Sequence, residues 1–128
     1  MELTRAEEFF IKVYRNFDFL RQYDFEIKEF CSEGREIWVT FKNKKFNREI
    51  CIILEEPFII NVYIKRKNLL AFSKSGSRFS IYDYCDKYFE KTDDVSIVAK
   101  FIKENLMPVI KGEMWINKLL KQKKIVLK

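Results

Sequence analysis

Three groups of residues in this sequence have the side chains that chemistry uses. Asp83, Asp86 and Glu90 stand three and four positions apart, so a helix through 80–90 would set their carboxylates on one face. Several such oxygens suit a hard cation such as Mg²⁺ or Ca²⁺. Lys87 and Lys91 lie among them, and Asp83 with Lys87 forms an ordinary i,i+4 pair. A solvated helix face therefore explains the cluster more simply, and neither a metal nor any other cofactor is expected. Glu55-Glu56 has the residues of an acid–base pair, but neighbours in a turn point apart. Ser73, Lys74, Ser75 and Ser77 imitate a Ser/Lys nucleophile within what reads as a charged surface loop. The chain has no His, which removes every His-based metal site, triad and proton relay. It also lacks the Gly-rich phosphate motifs and the GxSxG elbow. The expectation is a protein without enzymatic activity.

Contact chemistry is better represented. The 25 Lys and Arg against 19 Asp and Glu leave a net charge of +6. Basic residues gather at Lys42, Lys44, Lys45 and Arg48, at Lys65, Arg66 and Lys67, and at the C-terminus. In a meander, successive turns alternate between sheet ends, so the loops at 43–45 and 65–68 would share one end and make a single positive patch. Eighteen of the basic residues are Lys, however, and Arg is the better bidentate reader of bases and phosphates. Single-strand binders also set aromatics among their cations on an open sheet face, a place that Trp38 and Tyr63 would have to fill. A protein partner fits charges of both signs. The expected contact residues are Lys65, Arg66 and Lys67, the acidic Asp83, Asp86 and Glu90, and Tyr82, which lies off the apolar stripe of its segment and is the expected exposed aromatic.

The elements that must position these residues follow from length and periodicity. At 128 residues the chain suits one domain, 1–128. Its 48% apolar and 16% aromatic content supports a packed core. Cys31, Cys51 and Cys85 are odd in number, widely spaced and set in apolar segments. They read as reduced thiols, which implies the cytoplasm. No signal peptide and no membrane span is legible.

Thr4 with Glu7 forms a capping box ahead of Ala6, Phe10, Val13, Phe17 and Leu20, the spacing of one helical face, which Phe9 and Tyr14 widen. Alternation then predicts strands over 23–28, 37–42, 46–54 and 58–64, with turns at 32–35, 43–45 and 55–57 and a short edge strand at 69–72. The run Ile50-Cys51-Ile52-Ile53-Leu54 is apolar at every position, as suits a central strand covered on both sides. Helices are expected after Ser80, with a strand over Phe79–Tyr84 as the alternative because aromatics favour sheets too, after Asp93 or Asp94, and from Pro108, where one helix would carry Val109, Ile116, Leu119 and Leu120. The fold class is α+β: an N-terminal helix, an antiparallel four- to five-stranded meander, and two to three C-terminal helices packed on the sheet.

A Phe-rich first helix (Glu8-Phe9-Phe10 onward), a meander containing Pro57-Phe58-Ile59-Ile60-Asn61-Val62-Tyr63-Ile64, and two helices joined through 106–115 give a layout that resembles the small α+β immunity proteins of bacterial polymorphic-toxin and contact-dependent inhibition systems. The resemblance implies a cytoplasmic inhibitor that binds one toxin domain and blocks its active site, as a monomer or weak homodimer without a cofactor. Immunity proteins against nucleases are commonly acidic, and this chain is basic. It would suit an acidic or mixed-charge toxin, or would bind through its acidic 83–94 stretch. The alternative is a basic nucleic-acid-associated accessory protein.

Overall fold

The structure, a computed structural model, describes residues 2–55, 59–66, 78–85 and 90–122, without the side chains of Tyr84 and Cys85. Helix α1 (Arg5–Asn16) starts at a complete capping box. Glu7 N–H donates to the Thr4 hydroxyl at 3.1 Å, and Thr4 N–H donates to the Glu7 carboxylate at 2.9 Å. Its buried residues are Phe9 and Val13, with Phe17 following at the C-cap. Phe10, expected on the buried stripe, is only half-buried and lies 4.8 Å from the Phe30 ring. Val13 and Phe17 are buried as the spacing predicts, and Leu20 reaches the core from a separate 3₁₀ segment (Asp18–Tyr23), not from a continuous helix.

Five antiparallel strands follow in sequential order: β1 (Glu26–Glu33), β2 (Glu36–Asn43), β3 (Arg48–Glu55), β4 (Ile59–Arg66) and β5 (Arg78–Ser80). Tyr23, expected to open the first strand, instead closes the 3₁₀ segment. Asp24 turns the chain at φ 64° and β1 begins at Glu26. The pairing of β1 with β2 shifts between Ile27 and Glu29, so Lys28 is a bulge. Ile27 and Phe30, an odd number apart, therefore point to the same side. The β1–β2 loop is Gly34-Arg35, with positive φ at its first position, the place where a II′ hairpin takes Gly. The expected strand at 69–72 lies outside the described residues, as do Glu56, Pro57 and Phe58 and the Ser/Lys segment 73–77.

Ser80 opens α2 (Ile81–Cys85), accepting from Tyr82 N–H at 3.2 Å while its own N–H donates to Asp83 at 2.9 Å. Asp94 caps α3 (Val95–Asn105), accepting from Ser96 N–H at 2.9 Å. Pro108 sits in the first turn of α4 (Met107–Ile110). The single helix expected from Pro108 is in fact two. Gly112 at φ 76° ends α4 in a Schellman arrangement, with Glu113 N–H donating to Pro108 O at 2.9 Å and Gly112 N–H to Val109 O at 3.2 Å. Helix α5 (Ile116–Gln122) then starts afresh.

One face of the sheet and the helices share a buried cluster. Val39, Phe41, Ile50, Ile52, Val62 and Ile64 meet Val13, Phe17, Val98, Ile102, Val109 and Ile116 there. The protein is thus α+β, with the helices packed on a meander. No described helix is long and apolar enough to cross a membrane.

Candidate functional site

The second face of the sheet carries the site. Strand register sets its rows, because directly paired residues share a side. One row runs Glu26, Lys42, Glu49, Lys65, Arg78 across all five strands. The next runs Glu29, Thr40, Cys51, Tyr63, Ser80, and the third Cys31, Trp38, Ile53, Asn61. Glu33, Glu36, Glu55 and Ile59 lie at the far end. Trp38, Thr40, Cys51, Ile53 and Tyr63 are half-buried and stand outside the core cluster. The sequence expectation of a central strand covered on both sides is therefore corrected. Among the described residues, Ile50 and Ile52 enter the core while Cys51 and Ile53 do not.

Charge is graded along this face. At one end the bulge at Lys28 lets its ammonium reach past β2 to Glu49 on β3, at 2.8 Å. Burial alone would raise the Glu49 pKa. The Lys28 hydrogen bond and charge, with Lys65 and Lys42 beside it, hold it below the usual carboxylate value. Toward the other end, the carboxylates partner the aromatics. Trp38 Nε1 donates to Glu29 at 2.7 Å, and the Tyr63 hydroxyl faces Glu55 at 3.4 Å. Burial, then the Glu55 charge, raises the Tyr63 phenol. Arg78 lies over the Tyr63 ring, 5.2 Å from its centroid. Burial also raises the Cys51 thiol, the opposite of what an activated nucleophile needs.

The hairpin after β2 and the C-terminal end of β4 share the basic end, where Asn43 pairs with Arg48 and Arg48 with Arg66. This end is braced from several sides. Asn43 is buried, accepts from Phe46 N–H at 2.9 Å, and donates to the Tyr23 carbonyl. Arg48, only 8% exposed, donates from Nε to Val109 O at 2.8 Å and from Nη1 to Phe46 O at 3.1 Å. Arg48 and Arg66 both lie over Trp115, at 5.3 and 4.4 Å from its centroid. Burial, and then the Arg66 charge, lowers the Arg48 pKa.

The expected contact residues are dispersed by this geometry. Lys65 is exposed within the charged row, whereas Arg66 turns to the helix-covered side against Trp115. Lys67 and Asp86 lie outside the described residues. Tyr82, expected to be exposed, is half-buried against the core and donates its hydroxyl proton to Ile60 O at 3.0 Å. Burial raises its phenol. The helix has turned it inward, onto the main chain of β4. Asp83 is exposed but serves as a cap, accepting from Ser80 N–H. Glu90 is exposed and is not helical, which corrects the expected three-carboxylate helix face. No group of three or more potential metal ligands occurs among the described residues.

Sequence reasoning missed the Arg48–Arg66–Trp115 cluster and the reach of Lys28. A signal for the first existed. Glu55 pairs with Ile59, and counting on outward from position 57 brings Arg48 opposite Arg66, each nine positions away. The bulge at Lys28 carries no Gly and left no mark. No protein-family model, curated protein or solved structure matches the chain.

Proposed function

We propose that this chain is a non-catalytic, cytoplasmic protein-binding module whose contact surface is the open sheet face, and that its partner is a toxin domain which it neutralises as an immunity protein. The observation that supports this reading most is the pairing of the face's aromatics with carboxylates. Glu29 holds Trp38 and Glu55 faces Tyr63. A nucleic-acid strand stacking on Trp38 would bring its phosphates against Glu29, Glu33 and Glu36. A protein surface of mixed charge meets no such conflict, and half-buried Trp38, Ile53 and Tyr63 offer the anchors that interfaces favour. The alternative, a nucleic-acid-associated accessory protein, draws on Lys42, Lys65 and Arg78 in the row beside Tyr63.

Co-expression with the toxin domain encoded beside this gene tests the proposal. Growth rescue and a stable complex are expected, and Ile53→Glu or Trp38→Glu should abolish both while leaving a cooperative melt. Continued killing despite soluble expression overturns the immunity reading. Retention on single-stranded RNA or DNA at moderate salt, lost steeply as salt rises, would instead favour the alternative.

A further inference from the structure

We infer that the basic end of the sheet is an anion site for a compact phosphoryl group, formed where Lys42, Lys44, Asn47, Arg48 and Lys65 line a cleft of about 320 Å³. The cleft's one carboxylate, Glu49, is already engaged by Lys28 at 2.8 Å. Among the described residues none of the lining's four cations makes an ion pair within 4 Å, although Lys42 and Lys65 flank Glu49 in the charged row. Behind them, Arg48 and Arg66 stand directly opposite on neighbouring strands, a like-charge pairing that costs stability. Among the described residues the Arg48 guanidinium meets main-chain carbonyls and the Trp115 ring, with no carboxylate. The Arg66 Nε is buried and meets no hydrogen-bond acceptor among the described residues. A buried guanidinium without a counter-charge is expensive, and of the two arginines Arg48 lines the cleft. A dianion bound there supplies Arg48 with a counter-charge and offsets its repulsion by Arg66.

The geometry selects the class of anion. Donors come from β2, from its hairpin loop, from β3 and from β4, so they approach from several directions. A tetrahedral group with three free oxygens can use them together, where a planar carboxylate offers two. The cations converge on one concave end and do not track along the face, whose further rows carry Glu29 and Glu55. The ligand is therefore a phosphomonoester or pyrophosphate and not a polymer backbone. This assignment stands apart from the protein-partner reading, since it concerns the sheet end and not Trp38 or Ile53.

The test is titration of the full chain with inorganic phosphate and with pyrophosphate at ionic strength held constant by chloride, read by calorimetry and by the melting temperature. Saturable binding with a concentration-dependent rise in melting temperature is expected. Lys44→Ala and Lys65→Ala, both at exposed positions, should each weaken binding by about tenfold or more, in line with the loss of a charge-assisted bond. Lys100→Ala, on α3, should leave it unchanged. Equal stabilisation by chloride alone, or indifference to both cleft variants, overturns the site. Equal binding of malonate overturns the phosphoryl assignment. Oligonucleotide binding with a many-ion salt dependence and no saturation by pyrophosphate would replace the compact site with a polyanion track.

Discussion

The two faces of this sheet are built from the same strands, residue by residue, yet they do different work. On β3, Ile50 and Ile52 are fully buried against the helices, while Cys51 and Ile53 between them are half-buried outside the core. The covered face is aliphatic and aromatic apart from Asn43, Arg48 and Arg66 at one end. The other is graded from a charged row through Thr40, Cys51 and Tyr63 to Trp38 and Ile53. The core cluster lies on the first side, and the second is the face proposed to carry recognition. Composition alone does not separate them, because isoleucine appears on both.

The largest expected effect tests that division directly. Ile52→Ala removes a side chain with no exposure and should cost about 2–5 kcal/mol of unfolding free energy, measured by urea denaturation. Ile53→Ala, one residue along the same strand, should cost about 1 kcal/mol or less. Equal losses would mean that both faces are structural, and would remove the open face as a contact surface.

Two glycines sharpen the contrast at the level of the backbone. Gly112 and Gly34 both have positive φ, 76° and 62°, which an L side chain adopts at a cost of about 1–2 kcal/mol. A Cβ on Gly112 would also stand 3.3 Å from Phe46 Cβ, where α4 meets the basic hairpin, whereas one on Gly34 meets nothing within 4 Å. Gly112→Ala should therefore lower stability more than Gly34→Ala. It should also weaken phosphate binding at the hairpin end, which Gly34→Ala should leave intact. A reversed order in the melts would show that the hairpin is not braced by α4.

How much of this was legible in the sequence follows from which forces act locally. The capping box at Thr4 and Glu7, the cap at Asp94 and the order of strands are set by residues close in sequence, and each forms as its pattern predicts. The end of α1, the bulge at Lys28 and the break at Gly112 are decided by distant partners. Leu20 enters the core from the 3₁₀ segment and not from α1. Gly112 ends α4 beside Phe46, far away in the chain. The apolar run 50–54 misled because alternation tells which residues share a side, not whether a layer covers that side. The charged row was accessible only through register. Its members come from five strands, and Lys28, which pairs with one of them, acts through an irregularity.

The charged row makes a smaller, pH-dependent prediction. Glu49 has its folded pKa depressed, so its contribution to stability is present above the ordinary carboxylate range and is lost as pH falls through the folded value. Lys28 has its folded pKa raised, so its share persists through neutral pH and is lost only as pH rises past the folded lysine value. The difference in stability between the wild type and Glu49→Gln should thus be constant from about pH 6 to 9 and shrink toward zero in acid. A difference independent of pH in acid would show that Glu49 acts by packing alone, and the row would lose its electrostatic character.

The smallest effect is kinetic and leaves the fold intact. Cys31 and Cys51 both lie on the open face and are half-buried free thiols, and no cysteine belongs to the buried core among the described residues. In a Cys85→Ser background, iodoacetamide should modify both through local fluctuation, far faster than global unfolding allows. Cys31, on the edge strand, should react first. Cys51 should lag because burial raises its thiol pKa and reduces the reactive thiolate at a given pH, so raising the pH should speed its modification. If Cys51 reacts only at the rate of global unfolding, the second face is covered as tightly as the first. The protein would then have to meet its partner elsewhere.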